Sequence, residues 1–163
     1  MNQSPILEVQ DLRTHFFTRT GVVKAVDGVS FSLHPGETLG IVGESGCGKS
    51  MTALSIMGLV PQPAGRIVGG QVLLEGEDLL QMSTREMQQI RGREICMILQ
   101  DPMTSLNPVY TVGNQLMETL RMAKVGLKGL RDRAIEALAR VNIASPESRM
   151  ANFPHQMSGG MRQ

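Results

Sequence analysis

Residues 43–50 read G-E-S-G-C-G-K-S and follow a short apolar run, T-L-G-I-V, at residues 38–42. This is the spacing G-x-x-x-x-G-K-[ST] in the context that gives it meaning: a buried strand, a glycine-rich turn and then a helix. Gly43, Gly46 and Gly48 allow the backbone to fold tightly and turn its N–H groups toward one point. The positive end of the helix that follows adds to the same field. Lys49 supplies a compact cation for the outer phosphates of a polyphosphate, and the Ser50 hydroxyl supplies one position for Mg²⁺. The pattern implies a loop that cradles a nucleoside triphosphate.

The remaining composition narrows what such a loop can belong to. With 163 residues and 41% hydrophobic content, the chain can bury a true core. A net charge of +1 gives no nucleic-acid signal. Cys47 and Cys96 lack metal-ligand spacing, and two reduced thiols are expected. No basic stretch followed by an apolar one opens the chain, so no leader is expected, and no apolar run is long enough to span a bilayer.

Up to about residue 102 the sequence is rich in strand signals. Residues 6–9, 22–26, 29–33 and 71–74 are short, β-branched or alternating, and punctuated by glycine. A helix is expected over residues 49–59, stopped by Pro61 and Pro63, and a capped helix from Ser83 to about Ile90. The run I-C-M-I-L at residues 95–99 is continuously apolar, as in a strand covered on both faces. Residues 72–75 read as an ordinary strand entering a hairpin. Beyond Pro102 the apolar period becomes helical, over residues 112–124 and 130–141. The expected organisation is a phosphate-loop core with an antiparallel β subdomain over residues 1–102 and a helical subdomain over residues 103–163.

Two further features accompany the loop. Gln100 directly follows the apolar run and precedes Asp101-Pro102, placing an amide at the carboxyl end of a strand, where open α/β sheets hold their ligands. Ser158, Gly159 and Gly160, within H-Q-M-S-G-G-M-R-Q, place a hydroxyl and two glycines at the start of a helix, a second phosphate-binding element. In combination these features resemble the nucleotide-binding subunit of ABC transporters, in which the second element is the signature sequence L-S-G-G-Q. Q-D-P-M-T-S-L-N-P at residues 100–108 and M-S-G-G-M at 157–161 are similar to the oligopeptide/dipeptide importer branch. Met157 and Met161 are mild departures from the signature.

The resemblance implies an α/β fold of the P-loop NTPase type, with ATP and Mg²⁺ as cofactors. It implies a phosphate site built from Gly43, Glu44, Ser45, Gly46, Cys47, Gly48, Lys49 and Ser50. It makes Gln100 the sensor of metal and attacking water, with Ser50 and Gln100 on the metal. Ser158, Gly159 and Gly160 would meet the γ-phosphate bound by a second ATPase subunit. Adenine would stack on Phe16 or Phe17, a choice the sequence leaves open, and apolar burial explains both equally well. The implied partners are transmembrane permease subunits and, indirectly, an extracytoplasmic solute-binding protein, with no nucleic acid. The implied place is the cytoplasmic face of the cell membrane.

In that family a strand ending in Asp-Glu and a switch histidine follow the signature. Neither has a counterpart within residues 1–163, so the expectation is a chain truncated after the signature, with no residue assigned as general base. Hydrolysis by this chain alone is therefore left open. The alternatives are a non-catalytic nucleotide-binding fragment and a soluble ABC-type ATPase outside transport. The second is disfavoured because only 57 residues separate Gln100 from Ser158, without sustained heptads.

Overall fold

A computed structural model of the chain describes residues 4–99, 105–123 and 129–163. The chain forms two compact units, Met1–Met97 and Ile98–Gln163. In the first, strands β1 (Leu7–Thr18), β2 (Gly21–Leu33), β3 (Gly65–Leu74) and β4 (Glu77–Asp78) form one antiparallel sheet in the order β2-β1-β3-β4. Helix α1 (Lys49–Ile56) packs on β1 and β2, and α2 (Thr84–Ile90) lies further along the chain. One face of the sheet supplies Val9, Leu12, Val26 and Val72 to a core completed by Ile56, Leu79, Met87 and Ile90.

The strands are longer than their apolar patterns suggest because they run through irregularities the pattern reads as ends. Both ladders of β1 shift register between Val9 and Arg13. At that level Asp11 has φ 46°, Gly28 φ 84° and Gly70 φ 94°, so all three strands bulge together. A Cβ on Gly70 would stand 2.6 Å from the backbone of Gln10, Asp11 and Leu12, which ties this position to glycine. Arg13 holds the bulge from outside, pairing with Asp11 at 2.8 Å and with Asp27 at 2.9 Å. The Asp27 carboxyl also accepts from Lys24 at 3.2 Å, the main cause holding it below the ordinary carboxylate range.

The hairpin expected after residue 74 is present: Leu73 pairs with Asp78 and Leu74 with Glu77 around Glu75-Gly76. Both turn residues have positive φ, 50° and 89°, as a tight two-residue turn requires. Helix α2 carries a full capping box. The Ser83 hydroxyl accepts from the Glu86 N–H, and the Glu86 carboxylate accepts from the Ser83 N–H at 2.7 Å.

Two strand expectations require correction. Residues 38–42 form no ladder, and Val42 is 92% exposed. Residues 95–99 contribute only an isolated parallel bridge between Ile95 and Arg91, and Ile98 is 91% exposed. A continuous apolar run becomes a buried strand only when strands flank it and helices cover it, and no ladder among the described residues reaches these two runs. Helix α1 also ends at Ile56 rather than Leu59, capped by Met57, with the αL residue Gly58 directly after.

The second unit is helical: α3 (Val112–Met122), α4 (Leu130–Arg140), α5 (Pro146–Arg149) and α6 (Gly159–Arg162). Its core consists of Val112, Ala134, Leu138, Met150 and Met157. Thr111 caps α3, its hydroxyl accepting from the Asn114 N–H at 3.3 Å. Met157, where the resembled signature has leucine, is buried in this core, so the replacement conserves both apolar character and approximate volume. Met161 packs partly against the same cluster.

Candidate functional site

The glycine-rich loop of residues 43–50, the candidate phosphate loop, lies between the exposed segment 38–42 and helix α1. At its end Gly48 takes φ 96° as the N-cap of α1 and contributes no capping side chain. The first turn of α1 also lacks an acidic residue. Its leading N–H groups are therefore unsatisfied from within, the condition in which a helix start attracts an anion. Within the loop the Cys47 N–H donates to the Glu44 carbonyl at 3.3 Å. The N–H groups of Gly46, Gly48, Lys49 and Ser50 meet no acceptor among the described residues. Lys49 bends back over the turn, its Nζ donating to the Gly43 and Glu44 carbonyls at 2.7 Å each and lying 3.5 Å from Cys47 Sγ. The ammonium thus sits where loop carbonyls gather, ready to exchange neutral acceptors for charged ones. Ser45 and Ser50 are exposed, and the Ser50 hydroxyl has no hydrogen bond to described residues. A hard cation takes such oxygens, so Ser50 fits a position on Mg²⁺.

Two contacts anchor this assembly to the sheet. A Cβ on Gly48 would collide with the Ala25 carbonyl oxygen of β2. Seven residues further on, the Ser55 hydroxyl meets the Thr14 hydroxyl of β1 at 2.7 Å, and both residues are fully buried. Gly48→Ala thus meets both a close approach and a backbone conformation that costs about 1–3 kcal/mol for non-glycine residues. The expected outcome is a lower Tm together with weakened triphosphate binding, measured by thermal shift with and without ATP. A Gly48→Ala protein with unchanged melting and affinity would contradict the tight packing.

The two phenylalanines separate cleanly. Thr14 pairs with Ile67 and Phe16 with Gly65, so Phe16 shares the α1 side of the sheet with Thr14 and is half-buried. A Cβ on Gly65 would lie 2.9 Å from the Phe16 ring and 2.6 Å from Val60, placing the ring beside the segment that follows α1. Phe17 projects to the opposite face, is 47% exposed and lies under the Arg66 guanidinium, 5.8 Å from the ring centroid.

In the helical unit Ser158 is the N-cap of α6, its hydroxyl accepting from the Met161 N–H at 3.3 Å. Ser158, Gly159 and Gly160 are all exposed, and a Cβ on Gly160 would meet open space. Gln100, expected to bind metal and water, lies outside the described residues. Cys47 and Cys96 are free and exposed. The Thr14–Ser55 pair and the Gly48–Ala25 approach escaped the sequence reading. The only available signal was a threonine and a serine at positions that strand and helix periodicity assign to the apolar face.

An antiparallel sheet with a glycine-rich loop leading into its helix, and a helical unit with S-G-G at the start of its last helix, match the ABC ATPase cassette fold of the α/β class. The chain belongs to the ABC transporter family, whose pattern matches residues 26–163. It is 52% identical over 159 residues to a probable peptide ABC transporter ATP-binding protein of Sinorhizobium fredii, covering 97% of this chain and 48% of that protein. An oligopeptide transport ATP-binding protein of Bacillus subtilis is also 52% identical, covering 97% of this chain and 44% of its own length. Among solved structures, a dimeric bacterial ABC transporter cassette superposes with a TM-score of 0.79 at 24% identity, covering 96% of this chain and 65% of that one. The chain spans about half the length of the curated relatives it matches. Among the described residues no helix is long and apolar enough to cross a membrane.

Proposed function

We propose that this chain is the nucleotide-binding part of an ATPase subunit that energises an importer of peptides or similar small solutes. The observation that carries the reading is the loop itself: unsatisfied N–H groups at Gly46, Gly48, Lys49 and Ser50 beside an ammonium held by two carbonyls. That arrangement fits the terminal phosphates of ATP. Ser50, with Gln100, would hold Mg²⁺, and neutralisation of charge on the phosphate oxygens is what the ion would supply when bound. The peptide class rests on the relatives, whose names are those of peptide and oligopeptide transport ATP-binding proteins.

Phe16 is the better platform for adenine. It lies on the α1 side of the sheet, whereas Phe17 faces away and is engaged by Arg66. Base stacking on an aromatic contributes about 1–3 kcal/mol. Phe16→Ala is expected to weaken ATP binding by about tenfold or more while leaving inorganic tripolyphosphate binding unchanged. Phe17→Ala is expected to do neither. The reverse pattern by calorimetry would move the platform to Phe17.

Ser158, Gly159 and Gly160 would contact the γ-phosphate held by a second ATPase subunit, so that two chains enclose the nucleotide. Paired transmembrane permeases, met through the region after Gln100, would receive the motion at the cytoplasmic face of the membrane, and a solute-binding protein would deliver the substrate outside. Uptake of labelled peptides by cells lacking the gene tests the whole reading. Uptake should fall and be restored by the wild-type gene but not by the Lys49→Ala form. Uptake indifferent to the deletion would overturn it.

A further inference from the structure

We infer that Thr14 and Ser55 are positioning residues that set the aromatic platform of Phe16 at a fixed distance from the phosphate loop. The inference rests on the proposed reading of Phe16 as the adenine platform. Ser55 sits in the last turn of α1, and its hydroxyl donates to the Met51 carbonyl at 2.7 Å. Having spent its one hydrogen there, it can meet Thr14 only as an acceptor. The chain of bonds is therefore directional: Thr14 Oγ1–H to Ser55 Oγ, and Ser55 Oγ–H to the Met51 carbonyl. Both residues are fully buried, and apart from Thr52 the other buried side chains described in their unit are aliphatic or methionine. A buried hydroxyl pair in such surroundings has a sharply preferred geometry, because the one Ser55 hydrogen is committed to Met51 and Thr14 has no other side-chain partner among the described residues.

The consequence follows from where the pair lies. Helix α1 is held against the sheet at two points, Gly48 on the Ala25 carbonyl and Ser55 on Thr14. Seven residues of helix separate them, about 10 Å of axis. Thr14 is two residues before Phe16 on the same face of β1, and Ala25 is two residues from Val23, the partner of Phe16 on β2. The helix that carries the phosphate loop and the strands that carry Phe16 are thus joined at two points, both at the level of β1 just before the ring. Apolar packing alone would let the helix slide along the sheet, whereas a hydroxyl pair admits one register. A ligand reaching from loop to ring, as a nucleoside triphosphate would, feels that register. A ligand confined to the loop does not.

The test compares the two kinds of ligand in the intact protein by calorimetry, with Mg²⁺ present. Thr14→Val keeps the volume and removes the donor. The double variant Thr14→Val/Ser55→Ala removes both polar groups and leaves no lone buried hydroxyl. Both are expected to weaken ATP by about three- to tenfold, the sensitivity of a positioned contact to a small displacement. Inorganic tripolyphosphate should change by less than about twofold. Thr14→Ser retains the hydroxyl and is expected to bind ATP as the wild type does. Equal loss for ATP and tripolyphosphate, or a Thr14→Ser loss as large as that of Thr14→Val, would assign the effect to packing and overturn the inference. Phe16→Ala separates the two readings. If it fails to shift the ratio of ATP to tripolyphosphate affinity, the platform reading falls and takes the inference with it. If it shifts the ratio and Thr14→Val does not, the positioning role alone is overturned.

Discussion

Lys49→Ala is expected to abolish measurable nucleoside triphosphate binding in the intact protein. Lys49 is the sole cationic residue of positions 43–50, and its Nζ already sits 2.7 Å from two loop carbonyls. When phosphate oxygens replace those carbonyls, each contact joins two opposite charges, and a hydrogen bond to a charged group contributes about 1.5–3 kcal/mol. Two such contacts amount to roughly a hundredfold to ten-thousandfold in affinity. The substitution acts a second way. It removes the two bonds that hold the turn closed over Gly43 and Glu44, so the loop that remains is less ordered. Titration calorimetry with ATP measures the first effect, and hydrogen exchange of the loop amides measures the second. Unchanged ATP affinity would show that this loop is not the primary site.

A different separation is expected from Ser158→Arg: nucleotide binding by a single chain nearly intact, with hydrolysis and transport by the intact assembly stopped. Ser158 is exposed and its hydroxyl serves α6 as a cap. Losing the cap costs about 1 kcal/mol, confined to a short helix that begins at Gly159. Nothing in that contact concerns the phosphate loop. The long arginine side chain would instead occupy the surface proposed to close on the nucleotide of a second subunit. Ser158→Ala removes both the cap and the hydroxyl proposed to meet phosphate but adds no bulk, and is expected to lower hydrolysis less than Ser158→Arg does, which distinguishes lost hydrogen bonds from blocked closure. A binding defect in Ser158→Arg as large as that of Lys49→Ala would contradict the assignment of Ser158 to a second subunit's nucleotide.

The features legible in the residues alone are those whose causes are local. The glycine-rich turn into α1, proposed as the phosphate loop, shows at residues 43–50 as glycines, a lysine and a serine at set offsets. The capped start of α2 shows as Ser83 with Glu86 three residues on, and both sides of that capping box are present. Helices α3 and α4 follow their apolar periods to within two residues, because each helical hydrogen bond closes four residues away on the same segment. The family could be read from the same local text, since its motifs are short and contiguous.

What the tertiary structure decided is whatever depends on a distant partner. Residues 38–42 and 95–99 carry strong strand signals, yet a strand exists only through a ladder, and none among the described residues pairs with them. Strands β1 to β3 instead run past their sequence breaks, because Asp11, Gly28 and Gly70 bulge in concert across three segments. The division between Phe16 and Phe17 follows from pleat alternation once Thr14 is placed against Ser55, a contact spanning 41 residues. Backbone preference and motif spacing act within a few residues, whereas ladder register, burial and the approach of Gly48 to Ala25 are set by segments that meet only after folding.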